Sequence, residues 1–299
     1  MPKCGRHAES LRYAPHPGLR MTIPLFGPPA IAGLETCFIC GRHASSVEHI
    51  IPAWLLHRFG LWDQELRLPN ATTIPYRQLT IPACTRCNTQ VFGTLEERVS
   101  TGTASEAEIW RWANKIHYGL SHKDRFLAWD RANAHLKIGD VVRADDPFER
   151  SRHFLQCVAG EFKTAPDPFG SVFVFNFGSP QQFVFAHSVA LSSICISTGN
   201  VGYVVFVEDG QALKRDRGLR SVLAELPPKP GVADMLFFYA QCSEHALRHT
   251  LGQSVIMTQG LLARVGPTVV HDVRPPSKAR FRAICASLGI RWIDRDEGT

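Results

Sequence analysis

The spacing of apolar residues changes about halfway along the chain. In the first half, two stretches repeat apolar residues every three or four positions, which is the spacing of one helix face. The stretch that begins at Asn88 has as its apolar positions Val91, Phe92, Leu95 and Val99. The stretch from Glu106 to Leu120 aligns on one stripe Ile109, Trp112, Ala113, Ile116 and Leu120. Both patterns predict helices with one buried face.

After Phe154, runs of β-branched and aromatic residues take over, separated by Gly, Pro, Asn and Ser. These runs cover 171–177, 182–186, 190–197 and 202–207. They predict a four-stranded antiparallel meander. Further helices are predicted at 218–226, 232–250 and 277–288.

Two short β-prone runs precede the first helix, at 46–51 and 78–81. Residues 53–59 predict one or two helical turns, and 60–75 predict an irregular insertion because they contain Pro-Asn and a second proline. The region from 36 to 100 is thus predicted to run strand, strand, helix.

The predicted fold class is α+β, with four successive segments. Residues 1–35 are rich in Pro, Gly and Arg and predict an irregular leader, in which Met21 is an alternative start to Met1. The other segments are a small strand-and-helix domain at 36–100, a helical connector at 101–150 and an α+β C-terminal domain at 151–299.

Four of the nine cysteines form two Cys-x-x-Cys pairs, and these are Cys37, Cys40, Cys84 and Cys87. Two intervening residues let both sulfurs of a pair face one ion, so the pattern predicts a tetrahedral, structural zinc site. The other five cysteines have no regular spacing. An odd total without a signal peptide favours reduced thiols and a cytoplasmic protein.

Charge and hydropathy narrow the classes of partner. The 299 residues carry a net charge of +6, which permits a nucleic-acid partner without strongly favouring one. No apolar run reaches the roughly 18 residues of a membrane span, so we predict a soluble chain without a membrane partner.

Three further residues stand beside the cysteine pairs. Glu48 and His49 lie between the pairs and are followed by Ile-Ile-Pro, and Asn88 directly follows the last cysteine. Cys-x-x-Cys, Glu-His-Ile-Ile-Pro and Cys-x-x-Cys-Asn, in that order, resemble the HNH branch of the His-Me finger endonucleases. The resemblance covers residues 37–98 and implies a zinc-stapled ββα-metal finger.

The resemblance implies a role for each of these residues. His49 would be the general base that activates water, and Glu48 with Asn88 would hold a catalytic Mg²⁺ or Mn²⁺. An imidazole that is neutral near pH 7 suits the first role, and oxygen ligands suit the second. The position of the family's middle asparagine is Leu79 here, and Asn70 lies too far upstream to replace it.

The predicted activity is metal-dependent hydrolysis of DNA, which the family associates with defence against foreign DNA or with mobile elements. Two alternatives stay open: a zinc-dependent nucleic-acid-binding module that does not cut, and an RNase or toxin nuclease. The C-terminal domain is assigned to substrate selection, oligomerisation or regulation, and it is the expected contact for an oligomer or a protein complex. Glu96 and Glu97 are interpreted as a solvated helix face.

Overall fold

A computed structural model describes residues 34–130, 132–141, 154–155, 163–258, 261–273 and 278–288. The leader predicted for 1–35 lies outside these ranges except for its last two residues. The described chain mixes helices with several small, mainly antiparallel sheets, in agreement with the predicted α+β class. No helix within the described ranges combines the length and the apolarity that crossing a membrane requires.

Within the described ranges, the first half contains six strands and four α-helices. The strands are β1 (Ser46–His49), β2 (Glu65–Arg67), β3 (Thr73–Pro75), β4 (Thr80–Ala83), β5 (Ala128–Asp130) and β6 (Asn133–Lys137). The helices are α1 (Ala53–Arg58), α2 (Thr94–Ser100), α3 (Glu106–Arg125) and α4 (Ile138–Val141). A π-helical run, Arg86–Gly93, leads directly into α2.

The second half contains the remaining described elements. The strands are β7 (Lys163–Ala165), β8 (Ser171–Asn176), β9 (Phe185–Ser188), β10 (Ser193–Ser197), β11 (Val201–Phe206), β12 (His249–Thr258) and β13 (Leu261–Val273). The helices are α5 (Ala212–Arg215), α6 (Arg217–Glu225), α7 (Val232–Arg248) and α8 (Lys278–Ser287).

Strands β1 and β4 form an antiparallel pair in which Glu48 lies opposite Ile81 and His49 opposite Thr80. The segment between them contains paired strands, although its prolines predicted no regular structure. Strands β2 and β3 pair within 60–75, so the prediction of an irregular insertion was wrong. A turn at Ala71, whose φ is +62°, reverses the chain and lets the β-prone residues around Ile74 pair back.

Helix α3 is the longest helix that the structure describes, with 20 residues. Ser105 and Glu108 form a capping box at its start, which satisfies main-chain N–H groups that have no partner within the helix. Trp110 lies off the predicted stripe but is fully buried, and its indole donates a hydrogen bond to the Val207 carbonyl. The connector that α3 opens was predicted to be helical, yet it also contains the β5–β6 hairpin.

Strands β8 to β11 form one antiparallel sheet, but they are not a meander. Their order across the sheet is β8-β11-β10-β9, so the first strand lies beside the last, as in a Greek key. Apolar and polar alternation locates a strand and its buried face, but it carries no information about which strand pairs with which. The connection that contains Pro180 takes the chain from β8 past two strand positions to β9.

The three-stranded sheet was not predicted from the sequence. It has the order β12-β13-β7, in which β12 and β13 are antiparallel and β13 and β7 are parallel. Helix α7 ends at Arg248, two residues before the predicted boundary.

The four-stranded sheet is covered on both faces. One face carries Ile194, Tyr203 and Val205, which share a continuous apolar core with β1, β4, α1 and α3. The other face carries Phe173, Val204 and Phe206, which pack with Met235 and Phe238 of α7. The cysteine-bearing region, α3 and the sheet therefore share one core, and α3 forms its central layer.

Candidate functional site

Two tight turns place the four cysteines together. In the first turn the Cys37 N–H donates to the Arg42 carbonyl, and Gly41 takes the left-handed conformation with φ of +70°. The second turn leads into the π-helical run, where the Asn88 N–H donates to the Cys84 carbonyl at 2.9 Å. The Phe38 N–H bonds the Pro82 carbonyl at 3.0 Å and holds the two turns side by side.

The four sulfur atoms lie at the spacing that a tetrahedral metal ion requires. All four lie within 4.8 Å of one another, and the Sγ atoms of Cys40 and Cys84 are 3.7 Å apart. A zinc–sulfur bond of about 2.3 Å implies an edge of about 3.8 Å for a regular tetrahedron of sulfurs. The cluster could therefore hold a metal ion such as zinc, and no other such group of His, Cys, Asp or Glu occurs in the described part of the chain.

The cluster is already biased toward a thiolate. Cys37 and Cys87 are buried, and a hydrogen bond between their thiols lowers the pKa of Cys37 to about 4 while raising that of Cys87. A thiolate is the form of cysteine that binds metals. A bound cation would favour loss of the remaining thiol protons in the same way.

Glu48 lies on the buried face of β1, against α3. Its carboxylate forms an ion pair with the ammonium of Lys115, and the side chains of these two residues are 7% and 0% exposed. The Lys115 Nζ atom also lies 2.6 Å from Glu96 Oε1 and 2.8 Å from the His49 carbonyl oxygen. Burial raises the pKa of Glu48, and Lys115 opposes that rise.

His49 ends β1, and its ring packs on Trp62 with ring centroids 5.4 Å apart. His57 of α1 stacks on the same indole at 4.4 Å. Burial lowers the pKa of His49, with a further contribution from the charge of Lys115, although a hydrogen bond to the Arg77 main chain acts in the opposite direction. The imidazole is therefore neutral near pH 7 and able to accept a proton.

Asn88 reaches from the π-helical run to β1. Its Nδ2 atom donates to the Val47 carbonyl at 2.9 Å and to Ser46 Oγ at 3.2 Å. Because a carbonyl oxygen can only accept, the amide nitrogen must face β1, and the Oδ1 atom is left for a cation or another donor.

The predicted site residues meet at β1 but do not all face one side of it. Successive side chains of a strand point to opposite faces, and Glu48 faces α2 and α3 whereas His49 packs on Trp62. Neither position considered for the family's middle asparagine places a side-chain amide beside His49. Leu79 is buried, and the Asn70 side chain accepts a hydrogen bond from the Thr72 N–H. The main chain of Arg77 is the group that contacts the His49 ring in that region.

Sequence reasoning missed Lys115 and misjudged Glu96. Glu96 was interpreted as solvated, but it lies beside the same ammonium as Glu48. The burial of Lys115 and of its neighbours Asn114 and Ile116 is visible only in the structure. Buried lysines are nearly always paired, but the sequence did not identify Lys115 as one of them.

A second cluster lies between α3 and the sheet. His117 Nδ1 and His187 Nε2 are 2.9 Å apart, and His117 is buried whereas His187 is partly buried. Burial lowers the pKa of His117 to about 4 and that of His187 to about 3. The two rings are therefore neutral at pH 7 and link the two layers by a hydrogen bond.

A scan against protein-family models and searches of curated proteins and solved structures found no match to this chain. The case for a function therefore depends on the chemistry of the residues themselves.

Proposed function

We propose that this protein is a divalent-metal-dependent endonuclease of the HNH type that hydrolyses DNA. The observation that carries the proposal is the contact of Asn88 with the main chain of β1, two residues before His49. This contact joins the start of a helix to a strand that ends in a neutral imidazole, beside a four-cysteine cluster. These are the elements that a zinc-stapled ββα-metal finger requires, in the same order along the chain.

His49 is the proposed general base. Phosphodiester hydrolysis needs a group that removes a proton from water as the oxygen attacks phosphorus. The neutral ring of His49 can accept that proton, and the Arg77 main chain and the Trp62 indole fix its orientation. The resulting imidazolium is stabilised by the hydrogen bond to the Arg77 main chain, which raises the pKa of His49.

Glu48 and Asn88 fit a divalent ion by the chemistry of their donors. A carboxylate and an amide oxygen are ligands that Mg²⁺ and Mn²⁺ accept, with water in the other positions. Lys115 takes Oε1 of Glu48, so Oε2 of Glu48 and Oδ1 of Asn88 are the proposed ligand atoms. When bound, such an ion would neutralise the charge that develops on the phosphate and on the leaving oxygen.

Plasmid cleavage tests the proposal. We expect the protein to nick supercoiled plasmid in Mg²⁺ or Mn²⁺, and His49→Ala to reduce the rate by roughly 10²- to 10⁴-fold. His43→Ala is the matched control, because His43 is exposed and lies outside the proposed site. Equal cleavage by wild type and His49→Ala would refute the role of His49, and a parallel RNA substrate tests the RNase alternative.

A non-catalytic zinc-dependent nucleic-acid-binding module is the second candidate. The observation in its favour is the ion pair of Glu48 with Lys115, which engages the carboxylate that a catalytic ion would use. A mobility-shift assay on the same plasmid separates the two functions. A binding module retards DNA without cutting it, and its His49→Ala variant retards DNA equally well.

A further inference from the structure

Lys115 is a buried cation whose contacts all lie next to the proposed site. It lies in α3 with a fully buried side chain, although an ammonium without partners is costly to bury. Its three N–H donors match three acceptors, which are carboxylate oxygens of Glu48 and Glu96 and the main-chain oxygen of His49. The Phe92 ring lies on another side, with its centroid 5.5 Å from Nζ.

These acceptors belong to separate parts of the proposed site. Glu48 and His49 end β1, whereas Glu96 lies in α2. Lys115 therefore joins α3 to both elements through one atom. A second lysine of α3, Lys123, binds the Gln78 and Thr80 carbonyl oxygens at 3.1 and 3.0 Å and so holds the start of β4.

His49 is thus held at two places, its main chain and its ring. On the inner side Lys115 fixes the carbonyl oxygen of His49, and on the outer side Trp62 packs on the ring. The same ammonium takes one oxygen of Glu48, which directs the other oxygen of that carboxylate elsewhere. We infer that Lys115 is a positioning residue of the proposed nuclease site, which sets the placement of the His49 ring and the Glu48 carboxylate without touching substrate.

This inference deepens the proposed function and rests on it. A purely structural ion pair is the competing explanation, because buried ion pairs can often be replaced by apolar residues without loss of stability. The two explanations differ in what they predict for a variant that folds but lacks the ammonium. A structural role predicts normal chemistry in such a variant, whereas a positioning role predicts slow chemistry.

The double variant Lys115→Met with Glu96→Gln is designed to fold while lacking the ammonium. Lys115→Met alone leaves two carboxylates adjacent without a cation, so it is expected to be destabilised. Replacing Glu96 by Gln removes one charge and gives Glu48 an amide donor in place of the ammonium. Lys123→Met is the matched control, since it removes an α3 ammonium from main-chain oxygens but leaves Glu48 and the His49 carbonyl untouched.

The first readout is steady-state plasmid cleavage. We expect the double variant to lose about 100-fold in kcat, as a displaced catalytic group does, with KM for DNA changed less than about threefold. Lys123→Met should stay within about threefold of wild type in both parameters. A double variant that melts like wild type and keeps its kcat would overturn the inference.

The second readout does not depend on activity. Proton NMR of the full chain should show contacts between the His49 and Trp62 rings in wild type and in Lys123→Met, and lose them in the double variant. Retention of these contacts in the double variant would refute the positioning role. If wild type cuts neither DNA nor RNA, the proposed function fails, and the ring contacts alone then decide whether Lys115 positions His49.

Discussion

The cysteine-bearing region around β1 and β4 and the sheet formed by β8 to β11 stabilise their interiors in different ways. The first region places thiols, carboxylates and an ammonium inside the protein and depends on pairing them. The second buries mainly apolar side chains on both of its faces, with hydrogen-bonded exceptions such as Ser193 and, just after β11, Asp209. The first region is therefore sensitive to the loss of single partners, whereas the second is expected to tolerate small deletions of volume.

The largest expected effect comes from matched cysteine substitutions in the two regions. Cys37 and Cys195 are both fully buried, but only Cys37 belongs to the four-sulfur cluster. We expect the wild-type protein to bind one metal ion at this cluster and Cys37→Ala to lose it. Metal binding in structural zinc sites contributes roughly 10–16 kcal/mol. Cys195→Ala should cost only about 1–2 kcal/mol, the range for a small cavity.

Metal analysis by mass spectrometry and amide hydrogen exchange check this prediction. Amides of 37–49 and 80–93 should lose protection in Cys37→Ala, while those of β10 and β11 keep it. Chelation of the wild-type protein should give the same pattern. Equal loss of protection in both regions, or a full metal content in Cys37→Ala, would remove the proposed contrast.

The second prediction compares a buried ion pair with a buried carboxylate that is held by hydrogen bonds. Lys115→Met leaves Glu48 and Glu96 without their ammonium and is expected to cost about 3–5 kcal/mol. Asp209→Asn keeps one oxygen for the Ser171 N–H, which lies 2.7 Å from the carboxylate, and should cost about 1–3 kcal/mol. Urea unfolding of both variants measures the difference, and a larger loss in Asp209→Asn would reverse the ranking.

The third prediction concerns the histidine pair that joins α3 to the sheet. Burial lowers the pKa of His117 to about 4 and that of His187 to about 3, below the usual value of about 6.5 in an unfolded chain. Below pH 6.5 the unfolded state therefore binds more protons, and the pair lowers the free energy of unfolding as pH falls. Each ring contributes a slope of roughly 1.4 kcal/mol per pH unit until its folded pKa is reached.

Replacing one ring should remove its share of that slope. Between pH 7 and pH 5 we expect His187→Gln to lose about 2 kcal/mol less stability than wild type. His43→Gln, at an exposed position, serves as the control and should follow wild type. Urea unfolding at several pH values provides the measurement, and parallel curves for His187→Gln and wild type would contradict the burial of the pair.

The smallest effect on stability is expected at Asn88. Asn88→Ala removes the hydrogen bond to the Val47 carbonyl, which lies near the surface, and should cost about 0.5–1.5 kcal/mol. If the proposed function is right, the same change should nearly abolish plasmid cleavage. Thermal unfolding and cleavage measured on one preparation test both statements, and unchanged cleavage would remove Asn88 from the site.

The sequence predicted local features of this protein better than long-range ones. The two Cys-x-x-Cys pairs indicated the metal cluster because four sulfurs at that spacing have few other uses. Helical periodicity located α3, since its stripe reflects burial on a single face. The β-rich runs likewise located the four strands from β8 to β11 but gave the wrong order.

The features that could not be predicted depend on contacts between distant segments. Lys115 meets Glu48 only because α3 packs across β1, and no local pattern encodes that crossing. The β2–β3 hairpin was missed because prolines near its strands outweighed the β-branched residues between them. Whether Glu48, His49 and Asn88 act together stays a prediction. The motif predicts that Glu48 binds the catalytic ion, whereas in the strand its carboxylate faces Lys115, on the side opposite His49.

The position of Lys115 along the chain limits how this protein can be divided. A gene fragment that encodes only residues 36–100 contains every cysteine ligand and all three proposed catalytic residues, yet it omits the cation that neutralises Glu48. Grafting that fragment onto another scaffold would transfer the motif together with an uncompensated charge. A fragment that retains the cation has to extend through α3 to Arg125. Helix α3 would then expose Trp110 and Trp112, two large rings that are buried in the full chain and need a new partner to cover them.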